Sequence, residues 1–323
     1  MSPLNRRSFL ATSALLCIPQ LGFATETYPS KPIRLTTPNS AGSGADGMAR
    51  RLGDHLGRAL KQPVFVENLP GAGGLMGSEN LLRSAPDGST IGLISSNYVV
   101  FPHLYRKFAF DAVKDMTPVA GVASTPMVLV ARADLPASNV SELKALALKS
   151  PGKLTLGSSG NGTILHLMGM YMQEKGQFTL THVPYKGVAP VIPDLVSGTI
   201  DVAFFSYASV EGLVKQGRLK LLGVSSAKRS PAMPEVKTLD EVFPGCILEA
   251  WYAVIGPKGM PPEITQKLNE SITAIVQSDS FKGQIAGEGA VPMPMAPDVL
   301  LAFMKSEYTK HGALVSRSGA IIQ

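Results

Sequence analysis

Three short loops rich in glycine and serine are the segments of this sequence best suited to holding an anion. They cover residues 40–44, 71–74 and 158–163, and each separates an apolar, strand-like run from a helical pattern. Glycine lets the backbone approach a ligand closely, and the start of a helix presents N–H groups with partial positive charge. These loops could therefore hold a carboxylate without an arginine, although any one of them could equally be an ordinary tight turn.

Residue types that commonly perform catalysis do not form a recognisable motif here. The sequence has no Gly-x-Ser-x-Gly elbow, no Walker lysine loop and no His-Glu-x-x-His pair. Its five histidines are widely separated, and Cys246 has no partner at the spacing of a metal site. The pattern favours a binding protein that is not an enzyme, and it predicts neither a metal nor a cofactor.

One motif supports a different interpretation. Residues 42–47 match Gly-x-Gly-x-x-Gly between a strand and a helix, and Glu67 follows at the end of the next strand. In dinucleotide-binding folds an acidic residue at this place binds the ribose. A secreted or dinucleotide-dependent enzyme therefore stays open as an alternative, even though an exported protein would not meet a cytoplasmic nicotinamide cofactor.

The first 24 residues have the features of a secretory signal peptide. Arg6 and Arg7 precede an uncharged, mostly apolar stretch at residues 8–23, and Gly22 and Ala24 provide small residues before a cut after Ala24. The paired arginines fit the twin-arginine export signature, and they fit the general secretory route equally well. We therefore predict a periplasmic protein whose signal, residues 1–24, is removed.

The remainder of the chain carries little that would direct it to nucleic acid or to a membrane. The formal charge of the whole chain is +6, and loss of the two signal arginines lowers it to +4. The basic residues are scattered without interleaved aromatics, which argues against nucleic acid, while a mild positive charge is compatible with an anionic ligand. No apolar run after residue 24 is long enough to span a membrane, and we expect a monomer.

Alternating strand and helix patterns must position the glycine-rich loops. Residues 33–37 are typical of a strand, and Met48, Leu52 and Leu56 then recur at helical spacing. The same alternation returns from residue 154 onward, which predicts an α/β fold of mainly parallel sheets flanked by helices. Residues 124–130 and 250–255 are the best candidates for strands that cross between two lobes. Lobe 1 then comprises residues 25–124 and 250–323, and lobe 2 comprises residues 125–249.

Several motifs occur together in an order typical of one receptor family. They are Tyr28-Pro29-Ser30-Lys31-Pro32-Ile33, Pro70-Gly71-Ala72-Gly73-Gly74, Gly157-Ser158-Ser159-Gly160-Asn161-Gly162-Thr163 and His182-Val183-Pro184-Tyr185-Lys186-Gly187. In these motifs the chain resembles the tripartite tricarboxylate transporter receptors, also called the Bordetella uptake gene family. The resemblance implies a type II periplasmic binding fold that closes on its ligand, between its lobes, like a Venus flytrap. It further implies a small organic anion as ligand, often held through ordered waters, and an inner-membrane permease as partner.

The loops and the resemblance together give candidate ligand-binding residues in both lobes. In the first lobe these are Asn39, Ser40, Ala41, Gly42, Ser43, Gly44, Asp46 and Gly73. In the second lobe they are Ser158, Ser159, Gly160, Asn161, Gly162, Thr163, His166, Lys186, Ser206 and Tyr207. Thr163 is the best candidate for direct contact with the ligand. Asp46 could instead cap the first helix, and His166 could be a packed or capping histidine. Lys186 could equally be a solvated loop lysine.

Two positions depart from the family's pattern where ligand choice would be set. Asn39 stands where an aromatic residue is expected after Pro38, and Ser206-Tyr207 stand where relatives often carry an acidic residue. Within a general expectation of a di- or tricarboxylate, the scarcity of charges and the presence of Tyr207 would suit a dicarboxylate or an aromatic carboxylate. A receptor that presents its closed form to a membrane sensor instead of a permease fits the sequence equally well.

Overall fold

The computed structural model describes residues 28–105 and 110–318, which form two α/β lobes. The predicted signal peptide, including its twin-arginine motif, lies outside these residues. The strands are β1 (Ile33–Thr37), β2 (Val64–Asn68), β3 (Thr90–Ser95), β4 (Met116–Arg132), β5 (Thr155–Ser158), β6 (Thr181–Pro184), β7 (Val202–Ser206), β8 (Leu219–Val224), β9 (Glu249–Pro257) and β10 (Val291–Met295). The α-helices are α1 (Gly44–Leu60), α2 (Leu75–Leu82), α3 (Phe101–Leu104), α4 (Val140–Lys149), α5 (Ile164–Gly176), α6 (Val191–Ser197), α7 (Glu211–Lys215), α8 (Pro262–Gln277), α9 (Asp279–Ala286) and α10 (Pro297–Ser318). Short 3-10 helices cover Ala72–Gly74, Ser96–Val99 and Tyr207–Ser209.

Strand β4 runs through both lobes and divides the molecule. Its residues 116–126 pair with β9, and its residues 127–132 pair with β7 and β8. The strand order is β2-β1-β3-β9-β4 in the first lobe and β4-β7-β5-β6 in the second, with β10 and β8 also paired to β4. The pairing changes between Pro126 and Met127, close to the end of lobe 1 that the sequence predicts at residue 124.

Parallel and antiparallel pairs occupy different parts of the two sheets. The pairs β1-β2, β1-β3, β5-β6 and β5-β7 are parallel, as the alternation of strands and helices predicts. The pairs made by β4 and β9 are antiparallel, because one strand leaves the first lobe and the other returns to it. The sheets are therefore mixed, and the prediction of mainly parallel sheets describes only their outer halves.

Helix α1 shows how the first lobe is built behind its ligand loop. Ser43 caps the helix by accepting a hydrogen bond from the backbone N–H of Asp46 at 3.2 Å. Met48, Leu52 and Leu56 lie on one face and are fully buried against β1 and β3. Burying such side chains contributes about 1.5–3 kcal/mol each, so this face anchors the start of the helix at the end of β1.

The C-terminal helix α10 contacts both lobes. Near its start, Met304 packs with Trp251 in the first lobe, and the Trp251 indole donates a hydrogen bond to the Glu307 carboxylate at 3.0 Å. Near its end, Leu314 belongs to the apolar core of the second lobe, and Val315 packs with Leu167 of α5. The predicted lobe 1 range of 250–323 therefore contains a helix whose end lies on the other lobe. Within the described residues, no helix combines the length and the apolar character needed to cross a bilayer.

Candidate functional site

A cleft between the lobes contains two adjoining chambers. The outer chamber has a volume of about 490 Å³, and the inner chamber has a volume of about 50 Å³. Asn39, Asn97, Ser159 and Val188 line both chambers. The outer volume lies in the range of small-molecule sites. The two chambers thus form one continuous candidate site, with a wide mouth and a narrow base.

The loop between β1 and α1 forms the first-lobe wall and is held from behind by Asp46. The Asp46 carboxylate accepts hydrogen bonds from the Gly42 backbone N–H at 2.9 Å and from the Asn68 amide at 3.0 Å, and it pairs with Arg50 at 3.0 Å. Burial by itself would raise the pKa of Asp46, but these hydrogen bonds and the charge of Arg50 together lower it. The Asn68 amide also donates to the Asn39 carbonyl at 3.0 Å. Asp46 therefore braces the loop and does not line either chamber.

At the base of the cleft, the two lobes approach each other closely at Gly44. A Cβ atom added to Gly44 would lie 2.8 Å from the Cβ of Ser206 and 2.9 Å from the Tyr252 hydroxyl, and it would also crowd the Ser206 hydroxyl. Ser206 is the last residue of β7, and its hydroxyl lies 2.9 Å from that of Ser209. Ser209 in turn donates to the carbonyl of Gly42 in the first lobe at 3.5 Å. The structure is thus a closed form, in which the lobes touch around the inner chamber.

The loop between β5 and α5 forms the second-lobe wall and is held by its own side chains. The Thr163 hydroxyl donates to the Gly160 carbonyl at 2.9 Å and accepts from the Ser159 hydroxyl at 3.1 Å. Gly160 and Gly162 adopt φ angles of 134° and 72°, which favour glycine over other residues. Ser159, Gly160 and Asn161 line the outer chamber, while Thr163 lies behind them.

Two stacked histidines support this second loop from the side away from the cleft. The His166 and His182 rings lie 3.9 Å apart and nearly parallel. His166 Nδ1 accepts a hydrogen bond from the Gly162 backbone N–H at 3.0 Å, and His182 Nε2 lies 2.7 Å from the Ser158 hydroxyl. Burial, together with repulsion from His182, lowers the pKa of His166 to about 4, and burial also lowers the pKa of His182. Both rings are therefore neutral at pH 7, and a neutral His166 can accept the bond from Gly162.

Polar atoms without protein partners point to where a ligand or water binds. The Ser95 hydroxyl and the Asn39 Oδ1 atom are buried and have no hydrogen-bond partner among the described residues. Both side chains line the inner chamber. Buried polar atoms in folded proteins are nearly always hydrogen-bonded, to protein or to water. These two atoms are therefore available to hydrogen-bond to a polar group or a water in the inner chamber.

The lining of the cleft is polar but carries little charge. Among the described residues that line the two chambers, Lys186 alone has a charged side chain, and this side chain is exposed at the mouth. The Tyr105 and Tyr185 rings line the outer chamber, and their hydroxyls donate to the Ala72 carbonyl at 3.0 Å and to Asp194 at 2.6 Å. The mouth thus offers aromatic surface, and the base offers hydrogen-bonding groups.

The predicted binding residues fall into two groups. Those that line a chamber are Asn39, Ser40, Ser43, Gly44, Ser159, Gly160, Asn161, Lys186 and Ser206. Those that lie beside or behind the lining are Ala41, Gly42, Asp46, Ser158, Gly162, Thr163, His166 and Tyr207. Tyr207 is buried in the apolar cluster of Val130 and Phe205. Gly73 lies in the 3-10 helix whose neighbours Ala72 and Gly74 line the outer chamber.

Sequence reasoning missed several residues of the lining, and among the polar ones are Ser95, Asn97, Tyr105 and Tyr252. A signal for the first two was available, because Ser95 ends the apolar strand β3 and Asn97 follows it, just as the glycine-rich loops follow β1 and β5. Ligands of open α/β sheets bind at the carboxyl ends of parallel strands. Tyr252 lies within β9, and its place in the chain gives no such signal.

The described residues contain no metal site and weaken the dinucleotide alternative. They include no group of three or more histidine, cysteine, aspartate or glutamate side chains that could hold a metal ion. Glu67, the acidic residue that a bound ribose would need, pairs with Arg34 at 3.0 Å. The Gly42–Gly47 motif therefore serves the loop and helix start described above.

Comparisons with known proteins give the family. The model of the tripartite tricarboxylate transporter family receptor matches residues 48–320. The chain belongs to this family. A relative from Pseudomonas sp. strain P51, the UPF0065 protein in the tcbD-tcbE intergenic region, is 32% identical over 319 residues, which cover 98% of this chain and 95% of that protein.

Solved structures with the same fold resemble this receptor closely. The periplasmic binding protein BugD is 30% identical with a TM-score of 0.86, and the match covers 92% of this receptor and 100% of BugD. An R. palustris protein determined with adipate is 27% identical with a TM-score of 0.87, and the match covers 90% of this receptor and 98% of that chain. The receptor is thus a solute-binding protein with the two-lobed periplasmic binding protein fold, as the sequence motifs predict.

Proposed function

We propose that this receptor captures a small organic carboxylate in the interlobe cleft and delivers it, without chemical change, to an inner-membrane permease. The observation that carries the proposal is the inner chamber, where the buried Ser95 hydroxyl and Asn39 Oδ1 have no partner within residues 28–105 and 110–318 and lie beside the starts of two helices. A hydroxyl and helix N-terminal N–H groups are donors that suit a carboxylate, and Asn39 Oδ1 suits an ordered water beside it.

The size and chemistry of the outer chamber favour a ligand longer than a single carboxyl group. Its volume of about 490 Å³ leaves room for a carbon chain or a ring beside Tyr105 and Tyr185. Exposed Lys186 stands at the mouth, where it would attract a second carboxylate. A dicarboxylate or an aromatic carboxylate fits both features, and the similar R. palustris protein was determined with adipate.

The closed form supports the proposed delivery to a permease. Gly44 and Ser206 meet across the cleft in this form, so a bound ligand bridging the lobes would favour the surface that it presents. Export through the signal at residues 1–24 would place the receptor in the periplasm, and N-terminal sequencing of the periplasmic protein should begin at Thr25.

A thermal-shift screen of the mature protein against a panel of carboxylates tests the proposal. A ligand at about 100 times its Kd should stabilise the receptor by roughly 2.7 kcal/mol. Calorimetry with the best ligand should then give a stoichiometry near one, and the ligand should be recovered unchanged. Formation of a product would assign the cleft to an enzyme, and the absence of any stabilising carboxylate would reject the ligand class.

A further inference from the structure

Asn97 makes a hydrogen bond that joins the two lobes. It lies in the 3-10 helix after β3 in the first lobe, and its Oδ1 atom accepts from the backbone N–H of Ile164 at 2.7 Å. Ile164 is the first residue of α5 in the second lobe. Asn97 is 7% exposed, so this bond lies out of bulk water. It therefore contributes more to holding the lobes together than a similar bond at the surface would.

The start of α5 depends on this bond from the other lobe. Thr163 is the N-cap residue of α5, but its side chain makes no capping bond within the described residues. Its hydroxyl donates instead to the Gly160 carbonyl at 2.9 Å. The first N–H groups of a helix have no partner inside the helix, and a side chain that accepts from them stabilises its start. Asn97 supplies that acceptor across the cleft.

The chemistry of the bond also fixes which way the Asn97 amide points. Because the Ile164 N–H is a donor, the atom facing it must be the carbonyl oxygen of the side chain and cannot be the nitrogen. The Nδ2 group, with its two N–H donors, is then directed elsewhere and makes no hydrogen bond with the described residues. Asn97 lines both chambers. Ser95 lines the inner chamber with it and is 6% exposed, and its buried hydroxyl has no partner in the described part of the chain.

We propose that Asn97 is a positioning and ligand-binding residue with two simultaneous roles. Its Oδ1 atom fixes the start of α5 to the first lobe, and its Nδ2 group donates to the carboxylate in the cleft. The second role rests on the proposed function, whereas the first does not. In this arrangement the ligand carboxylate binds beside Asn97 and not on the first N–H of α5, which Asn97 already occupies.

Two variants of Asn97 separate the two roles. Asn97→Ala removes both the acceptor and the donor. Asn97→Asp keeps an oxygen for the Ile164 N–H, but it replaces the donor with a second oxygen that repels a carboxylate. Asn139→Ala is the matched control, because Asn139 caps α4 within one lobe by accepting from the Glu142 N–H at 3.0 Å.

The readouts are hydrogen exchange at the Ile164 amide, with and without adipate, and calorimetry with adipate. Asn97→Ala should accelerate exchange at Ile164 and weaken adipate binding, each by about tenfold. Asn97→Asp should leave Ile164 protected but weaken adipate binding by at least about tenfold. Asn139→Ala should change neither quantity. The opposite response of the two readouts in Asn97→Asp is the result that a merely structural role would not give.

The outcomes also separate this inference from the proposed function. Fast exchange of Ile164 in the wild-type protein, alone and with adipate, would refute the bond between the lobes. Unchanged adipate affinity in Asn97→Asp would refute the donor role. If the wild-type protein binds neither adipate nor any other carboxylate of the panel, the proposed function fails together with the donor role, while exchange at Ile164 still decides the bond.

Discussion

Replacing Gly44 with alanine should hinder closure of the lobes, because the new methyl group would crowd a residue of the opposite lobe. The new Cβ would lie 2.8 Å from the Ser206 Cβ and 2.9 Å from the Tyr252 hydroxyl. Of these two residues, Ser206 ends β7 in the second lobe, and Tyr252 lies in β9 of the first lobe. Gly44 is the first residue of α1 and does not have a positive φ, so alanine suits its backbone. The conflict with Ser206 therefore opposes the contact between the lobes.

The magnitude follows from the cost of crowding a well-packed contact. Adding a methyl group to such a place typically costs about 1–3 kcal/mol. If this cost applies to the closed form and not to the open form, the free energy of binding becomes less favourable by the same amount. The Kd of a ligand that requires closure then rises about 5- to 150-fold. The contact with the Tyr252 hydroxyl lies within the first lobe, so the ligand-free protein should also lose some stability.

Calorimetry with adipate measures the loss, and fluorescence of Trp251, the single tryptophan of the chain, follows closure. Trp251 lies buried in β9 next to the position where the lobes join. Gly47→Ala is the matched control in the same helix, since its Cβ would meet only Arg51 at 3.7 Å, an ordinary contact. That control should bind normally and gain up to about 1 kcal/mol of helix stability.

A compensating substitution makes the reasoning refutable. Ser206→Gly removes the two atoms of Ser206 that the new methyl group would crowd, so it should restore part of the affinity lost in Gly44→Ala. Equal affinity of Gly44→Ala and the wild-type protein would show that the lobes do not approach in this way when ligand binds. A full loss that Ser206→Gly does not relieve would place the cause outside this contact.

Three further predictions concern other parts of the molecule. The pKa of His166 is lowered to about 4 in the folded protein, from a value near 6.5 in the unfolded chain. As the pH falls, the unfolded chain therefore binds a proton on this histidine before the folded protein does. The free energy of unfolding should decrease by up to about 3 kcal/mol between pH 6.5 and pH 4. Urea unfolding at pH 7 and pH 4.5 should show this loss in the wild-type protein and a smaller one in His166→Gln. Lys186→Gln should weaken adipate binding by less than about fivefold at low salt and not at all at high salt, because the charge is exposed; a salt-independent loss would mean that Lys186 is buried against the ligand. Cys246 is fully buried and burial raises the pKa of its thiol to about 12, so a thiol reagent should modify it only in unfolded protein, and rapid labelling of native protein would contradict that burial.

The sequence predicts those parts of the site that follow local rules. A strand, a glycine-rich loop and a helix occur in that order at residues 33–60 and 155–176, and the structure has them at nearly the same positions. The sequence allows Asp46 either to contact the ligand or to cap helix α1, and in the structure its carboxylate braces its own loop. Ligand contacts of the individual residues stay predictions.

The contacts between lobes could not be predicted, because they join residues far apart in the sequence. Asn97 and Ile164 are separated by 67 positions, and the approach of Gly44 to Ser206 depends on the angle between the lobes. In neither pair does the sequence around one residue indicate which residue it contacts. The antiparallel return of β9, which makes the sheets mixed, is likewise a property of chain topology and not of strand composition.

The continuous strand β4 has a mechanical consequence for the receptor. This 17-residue strand passes from one lobe to the other without a loop, and Ser225 ties it to the returning chain. The Ser225 N–H donates to the Met127 carbonyl at 2.9 Å, and the Leu248 N–H donates to the Ser225 carbonyl at 3.1 Å. We expect such a junction to resist sliding and to leave twisting of the paired strands as the main freedom of the lobes. A single distance between two labels, one on each lobe, would then follow opening.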